Sequence, residues 1–413
     1  MRQCTSGVKL IMNGTMSDHP PFGECSKCNG KVLEPIRPLH KHLHIRCSSC
    51  GAVARHSLPD LDKKVIYLDQ FAWSELFNIY TGERCSRDHG DFFRSLYNQL
   101  ENLVRLQQVV LPHSNIHLDE SAVGRNSIGL IKFIERFGGD IQFVKSTKID
   151  LNQVVDAAVS YFNGGPVVTE FPIDDALETP RNVWLPLWHV TIERDYSEIS
   201  DLIRDERDRL FAKVEKLREK WSQQRFAEVL LYELNGSVTA KINAFSAAIR
   251  QQSDRDPLLE YAGHNAPIID EVHYLESEML ANRIPRSVWL EKISEFWGSE
   301  HYKSLPHHRL SSYLFAALSR KATLKANRIF NRGMMNDVRV ISSYAPYVHA
   351  MMIDQASEAL LQQKELKAAL RYRAEIFSLR TKESFLRYLK NIEEQTPESV
   401  REYSNIIYGE PED

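Results

Sequence analysis

The chain has 413 residues, is 43% hydrophobic and 26% charged, and carries a net charge of −3. That composition fits one or two folded cores with an additional module, and it excludes a disordered chain or one that is basic throughout. No apolar run approaches the ~20 residues that span a bilayer and no secretory apolar region opens the sequence, so no membrane partner is expected. Six cysteines, four of them in two CxxC pairs, fit a reducing compartment with a metal better than a disulfide framework; the expected location is cytoplasmic.

Residues 1–20, with Cys4, read as a tail without periodicity. Cys25-Ser26-Lys27-Cys28 and Cys47-Ser48-Ser49-Cys50 follow, 18 residues apart. Two such knuckles supply four thiolates for a tetrahedral structural Zn²⁺, and the spacing predicts a zinc ribbon over 21–58. His40, His42 and His44 alternate between the knuckles and so share one face of a strand. They read as a surface cluster, because the cysteines already supply four ligands. Residues 1–64 hold ten Lys/Arg against five Asp/Glu. A small basic zinc module grips nucleic acid in one reading and only packs on a neighbour in the other.

Residues 59–64 read as a linker. The run 65–68 (Val-Ile-Tyr-Leu) is a buried strand ending at Asp69, and a helix through Phe71, Leu76 and Phe77 follows. A helix over 92–107 leads to a strand at 109–111, closed by Pro112. Ser114 or Asn115 then caps a helix that places His117 and Glu120 one turn apart. A helix at 128–137 and a strand at 140–144 complete a pattern of alternating elements that predicts a parallel α/β sheet.

Residues 150–308 read as a helical insertion. Pro166, Pro172, Pro180 and Pro186 interrupt its start. Ile203, Leu210, Val214, Leu217 and Trp221 then form a coiled-coil-like stripe in a long helix over 198–251. A helix at 310–326, bearing Arg320, Lys321, Lys325 and Arg328, leads to Asn336 and Asp337, which suit a helix start. Val338, Ile341 and Tyr344 share one face of that helix and Pro346 ends it. The strand 350–353 delivers Asp354, 17 positions after Asp337. A helix start and a strand end line the same crevice of an open parallel sheet, and two carboxylates there need a proton or a cation between them. A helix at 355–371, an edge strand at 375–379, a helix at 382–393 and a C-terminal tail at 396–413 follow.

With Asp69, Glu120, Asp337 and Asp354 in that order, and with Tyr344-x-Pro346-Tyr347 between the last two, the sequence resembles the PIN-domain nucleases over 62–145 and 310–395. The resemblance implies a PIN-like α/β/α sandwich whose acids hold Mg²⁺ or Mn²⁺ for RNA cleavage. Two positions depart from the pattern: His349 stands where such sequences often have an acid, and Met352 where many have Ser or Thr. The number of bound cations is therefore left open.

The chemistry can be stated without the family. Phosphodiester hydrolysis needs a deprotonated water and relief of charge on the leaving oxygen. Hard cations supply both and prefer carboxylate oxygens. Asp69, Asp337 and Asp354 are the expected ligands. Glu120 is a ligand or orients the attacking water, with Asp119 as its alternative should the helix phase differ by one residue. His117 is either a donor to the phosphate or a surface histidine. The expectation is a metal-dependent endoribonuclease acting on RNA, with the ribbon assisting binding. The alternatives are a non-catalytic RNA- or protein-binding scaffold and a nuclease directed at DNA.

Overall fold

A computed structural model describes residues 22–30, 33–83, 88–122, 127–139, 141–185, 223–253, 267–323 and 333–410, with isolated positions between 205 and 221. The expected tail at 1–20, Ile203, Leu210, Val214 and Leu217 of the apolar stripe, and Lys325 and Arg328 lie outside the described residues. Two compact units divide the chain: Met1–Leu61 with Asn182–Pro186 and Pro397–Asp413, and Asp62–Arg181 with Leu187–Thr396. No helix among the described residues is long and apolar enough to cross a membrane.

The smaller unit is built on three antiparallel strands, β1 (Leu33–Leu39), β2 (His42–Cys47) and β3 (Val53–Ser57), with β2 in the middle. Residues of β2 alternate, so Leu43, Ile45 and Cys47 are buried while His42 and Arg46 are exposed. The buried face packs with Phe22, Leu58, Trp184 and Val400. His40 takes no place in this alternation. It occupies the β1–β2 turn with φ +57°, a left-handed conformation that His adopts more readily than most residues, and its carbonyl accepts the Trp184 N–H. The expected C-terminal tail contains the helix Glu398–Tyr408. Its Tyr403 stacks on His56 and bonds its Nε2 at 2.5 Å. Val400 and Ile406 on that helix face the strands' apolar side, which is why the segment orders.

The larger unit is a mixed α/β fold around four parallel strands, β4 (Lys64–Leu68), β5 (Val109–Val110), β6 (Ala350–Met352) and β7 (Glu375–Phe377), in the order β5-β4-β6-β7. Val65 to Leu68 are all essentially inaccessible, as expected of a parallel strand covered on both faces. On one face Ile66, Leu68, Ala350, Met352 and Phe377 pack with the helices Gln70–Thr81, Gly90–Arg105 and Lys382–Glu394. On the other, Tyr67 stacks on His117 of Asn115–Ala122 and on Tyr344 of Met334–Tyr344.

Several expectations fail locally. Residues 141–144 make only isolated bridges, Gln142 to His113 and Phe143 to Leu177, so no fifth strand forms. The expected helix at 355–371 is two helices, Gln355–Leu361 and Lys364–Ala369. Described positions between 205 and 221 are helical, but the run expected at 198–251 breaks at 223–225 and again between the helices Phe226–Asn235 and Ser237–Ser253. At the junction, a Cβ on Gly236 would lie 2.4 Å from the Tyr232 carbonyl oxygen. The described part of the expected insertion is mainly helical, and most of it falls in the larger unit. Its first helix, Ser146–Phe162, docks on Met334–Tyr344 and the turn after it: Ser343 donates to Asp150 at 2.8 Å and Gln153 to the Tyr347 hydroxyl at 3.0 Å.

Candidate active site

From β4 the chain moves to β5 on one side and later returns to β6 on the other, so the direction of travel through the sheet reverses between β4 and β6. Open parallel sheets leave a crevice at the carboxyl ends of the strands flanking such a reversal. Asp69 follows β4 directly and Asp354 lies two residues beyond β6. The Asp69 N–H bonds the Met352 carbonyl at 2.9 Å, which joins the two strand ends. Asp69, Glu120, Asp337 and Asp354 line one small cleft here, together with Tyr67, Asn336 and Ser357. The enclosed space is about 10 Å³ for the centre of a water-sized sphere, room for about one water or one ion.

Two of the acids begin helices. Asp69 caps Gln70–Thr81 by accepting the Gln70 N–H on Oδ1 at 2.8 Å. Asp354 caps Gln355–Leu361 by accepting Ala356 and Ser357 N–H groups at 2.7 and 3.1 Å, both on Oδ1. In each case one carboxylate oxygen fixes the side chain to a helix start. Asp337 does not start its helix. That helix begins at Met334, with Gly333 as the capping residue, and Asp337 lies within its first turn. Asn336, expected as a cap, instead donates from Nδ2 to Glu120 Oε1 at 2.9 Å. Asn336 was thus missed as the residue that orients Glu120; its position beside Asp337 was the only sign. A second brace joins the neighbours of Asp69 and Glu120, since Gln70 Nε2 donates to Ser121 Oγ at 2.9 Å.

Helix phase places Glu120 on the cleft, whereas Asp119 is exposed and does not line it. His117 is neither a phosphate donor nor a surface residue. It is fully buried, lies 2.8 Å from the Leu68 carbonyl through Nε2, and accepts the Ser114 N–H on Nδ1 at 3.1 Å. That pairing puts the proton on Nε2. Burial, helped by His113, holds its pKa down to about 3. A neutral His117 therefore ties the helix bearing Glu120 to the strand end bearing Asp69.

Among the described residues only the four cysteines bring three or more candidate ligand atoms all within 4.8 Å of one another. No three of the four carboxylates meet that limit, although all four line the cleft. Their electrostatics are visible at Asp69. Burial first, then Glu120 and Asp354, raise its pKa from 3.8 to about 7, outweighing the Gln70 N–H bond that lowers it. Between those values the folded protein holds a proton that the unfolded chain has lost. Stability from this residue is full below about 3.8 and is lost as pH rises through about 7. Without added divalent cation, melting curves of the wild type should therefore fall over this window, and Asp69→Asn should flatten the fall. Parallel pH profiles for the two proteins would contradict the assignment.

One cation, Lys321, acts on Asp354, and a second, Arg380, acts on Lys321. Lys321, near the end of Pro306–Thr323, is half-buried; that burial lowers its pKa while Asp354 opposes the shift. Arg380, which faces Lys321, bonds Gln355 Oε1 at 3.4 Å. Lys321 was noted in the sequence only as part of a basic helix; nothing there marked its nearness to Asp354.

In the smaller unit, all four sulfur atoms of Cys25, Cys28, Cys47 and Cys50 lie within 4.8 Å of one another. Cys25 and Cys50 are 3.6 Å apart, as are Cys28 and Cys47. A tetrahedron of thiolates at ~2.3 Å from zinc has edges of about 3.8 Å, so the donor set and its size are compatible with a structural zinc. Backbone N–H groups of Lys27 and Cys50 point at the Cys25 and Cys47 sulfurs and lower those thiols' pKa values, Cys47 to about 6. This favours the thiolate form that a metal takes.

No protein-family model, curated protein or solved structure matches the chain.

Proposed function

We propose that the chain is a PIN-like, metal-dependent endoribonuclease. The observation that carries this reading is the convergence of four carboxylates, from positions 69, 120, 337 and 354, on one ion-sized cleft at the reversal of a parallel sheet. Four acids around one cleft, one of them held partly protonated near neutral pH, are relieved most directly by a hard divalent cation. In this reading Asp69, Asp337 and Asp354 would hold Mg²⁺ or Mn²⁺, which would supply a deprotonated water and charge relief at the leaving oxygen. Glu120, fixed by Asn336, is a further ligand or orients the attacking water. Lys321, which acts on Asp354, would help hold the substrate phosphate at a cleft otherwise lined by acids.

The wide spacing of the carboxylates favours a second reading, a scaffold that binds nucleic acid without cutting it. Labelled single-stranded RNA and DNA, each incubated with Mg²⁺, with Mn²⁺ and with chelator, separate these readings. The proposal expects internal cuts in RNA that need the cation and stop with chelator. Intact RNA in every cation condition would leave the scaffold, and preferential cutting of DNA would move the assignment to a DNA nuclease.

A further inference from the structure

We propose that the open face of the β1–β2–β3 sheet binds the backbone of single-stranded RNA. This rests on the nucleic-acid reading above and assigns the binding surface to named residues. Antiparallel partners share a face, and the register sets Arg37, His44 and Arg55 in one row across all three strands. Arg46 on β2 pairs with Glu34 and Val53, and His42 pairs with Leu39 and Ser57. These positions stand opposite Leu43, Ile45 and Cys47, which fill the core.

A β-bulge builds the row. The pairing runs from Pro35↔Ile45 directly to Arg37↔His44, with Ile36 left over. Without that extra residue Ile36 would oppose His44, and Arg37 would turn toward the core. Bulges re-aim side chains in this way at a cost in pairing. Here the result is a row of two arginines flanking a histidine rather than better packing.

Charge complementarity commits the face to a polyanion. Arg37, Arg46 and Arg55 are exposed, and none of them forms an ion pair within 4.0 Å among the described residues, although Glu34 stands opposite Arg46. Glu34 is the single carboxylate in the register. The strands are about 4.8 Å apart, so Arg37 and Arg55 stand roughly 10 Å apart with His44 between them. Guanidinium and imidazole planes beside the exposed Leu39 and Val53 suit unstacked bases as well as phosphates. Only a single strand offers bases to such a sheet, because a duplex hides them in grooves that need an entering helix or ribbon.

The test uses the full chain with Asp337→Asn to prevent cutting, and a labelled oligouridine of about 20 nucleotides as probe. Binding is followed by anisotropy across a salt series, and zinc content serves as the folding control. The triple variant R37Q/R46Q/R55Q should bind more than about tenfold more weakly at moderate salt. Its log–log salt slope should fall by about 2, since each single-strand phosphate contact contributes ~0.7. R37K/R46K/R55K, which keeps the charge, should keep the slope. An unchanged affinity and slope in the Gln variant would overturn the proposal, as would a Lys variant as defective as the Gln variant. Equal affinity for a duplex, or tighter binding to anionic phospholipid vesicles through the same arginines, would also overturn it. Absence of cleavage by the wild type, with the slope still lowered by the Gln variant, would sink the nuclease reading alone. Cleavage with no change in slope would sink this inference alone.

Discussion

Asp337→Asn is expected to lower RNA cleavage by at least about 10³-fold while RNA still binds. A metal-activated water and a cation-stabilised leaving oxygen together contribute several kcal/mol to the transition state, and about 4 kcal/mol corresponds to 10³ in rate. The side chain is half-buried in the first turn of Met334–Tyr344 and lines the cleft, so the isosteric amide should disturb packing little. Binding should be unchanged or tighter, because a negative charge leaves a site that must accept phosphate. This loss of kcat without loss of affinity marks an interaction made only in the transition state. Cleavage retained within tenfold of the wild type would remove Asp337 from the reaction.

Cys47→Ala should abolish metal binding in the smaller unit and unfold it. Structural zinc contributes on the order of 10 kcal/mol to the folding of small modules, far more than so small an apolar core supplies. The core it supports includes the helix Glu398–Tyr408 as well as the strands. Hydrogen exchange should therefore accelerate over both 22–58 and 398–408, while β4 and β6 in the larger unit stay protected. Metal analysis should give one zinc per chain for the wild type and none for the variant. Protection unchanged at 398–408 in the variant would show that the C-terminal helix does not depend on the cysteines. For the same reason, removing residues 1–57 would leave the apolar face of that helix uncovered; single substitutions on the sheet probe RNA binding more cleanly.

The parts of the fold legible in the sequence are those with strong local signals. β4 reads as a strand because its buried run leaves only that choice, and the two CxxC pairs announce their cluster through spacing alone. The four acids could be listed because each stands at a helix start, on a helix or at a strand end, places that the apolar pattern marks. What was illegible depends on contacts remote in sequence. Asn336 looks like a cap, yet it bonds Glu120 216 positions earlier. His117 looks like a surface residue one turn from Glu120, yet it is enclosed by Tyr67 and bonded to Leu68. The segment 396–413 has ordinary helix periodicity and an acidic end, so it read as a tail; only the apolar side of β2 makes it a helix worth forming. The bonds from Asp150 and Gln153 of the helix Ser146–Phe162 to Ser343 and Tyr347 likewise join residues about 190 positions apart.

The central claim, that these four acids form one divalent-cation site, is tested most directly by anomalous scattering from Mn²⁺ in crystals of the wild-type protein. A peak should appear in the cleft at roughly 2.2 Å from oxygen atoms of Asp69, Asp337 and Asp354, in keeping with hard-cation coordination. It should vanish in Asp69→Asn. No peak at saturating Mn²⁺, or peaks only on carboxylates outside the cleft, would contradict the account.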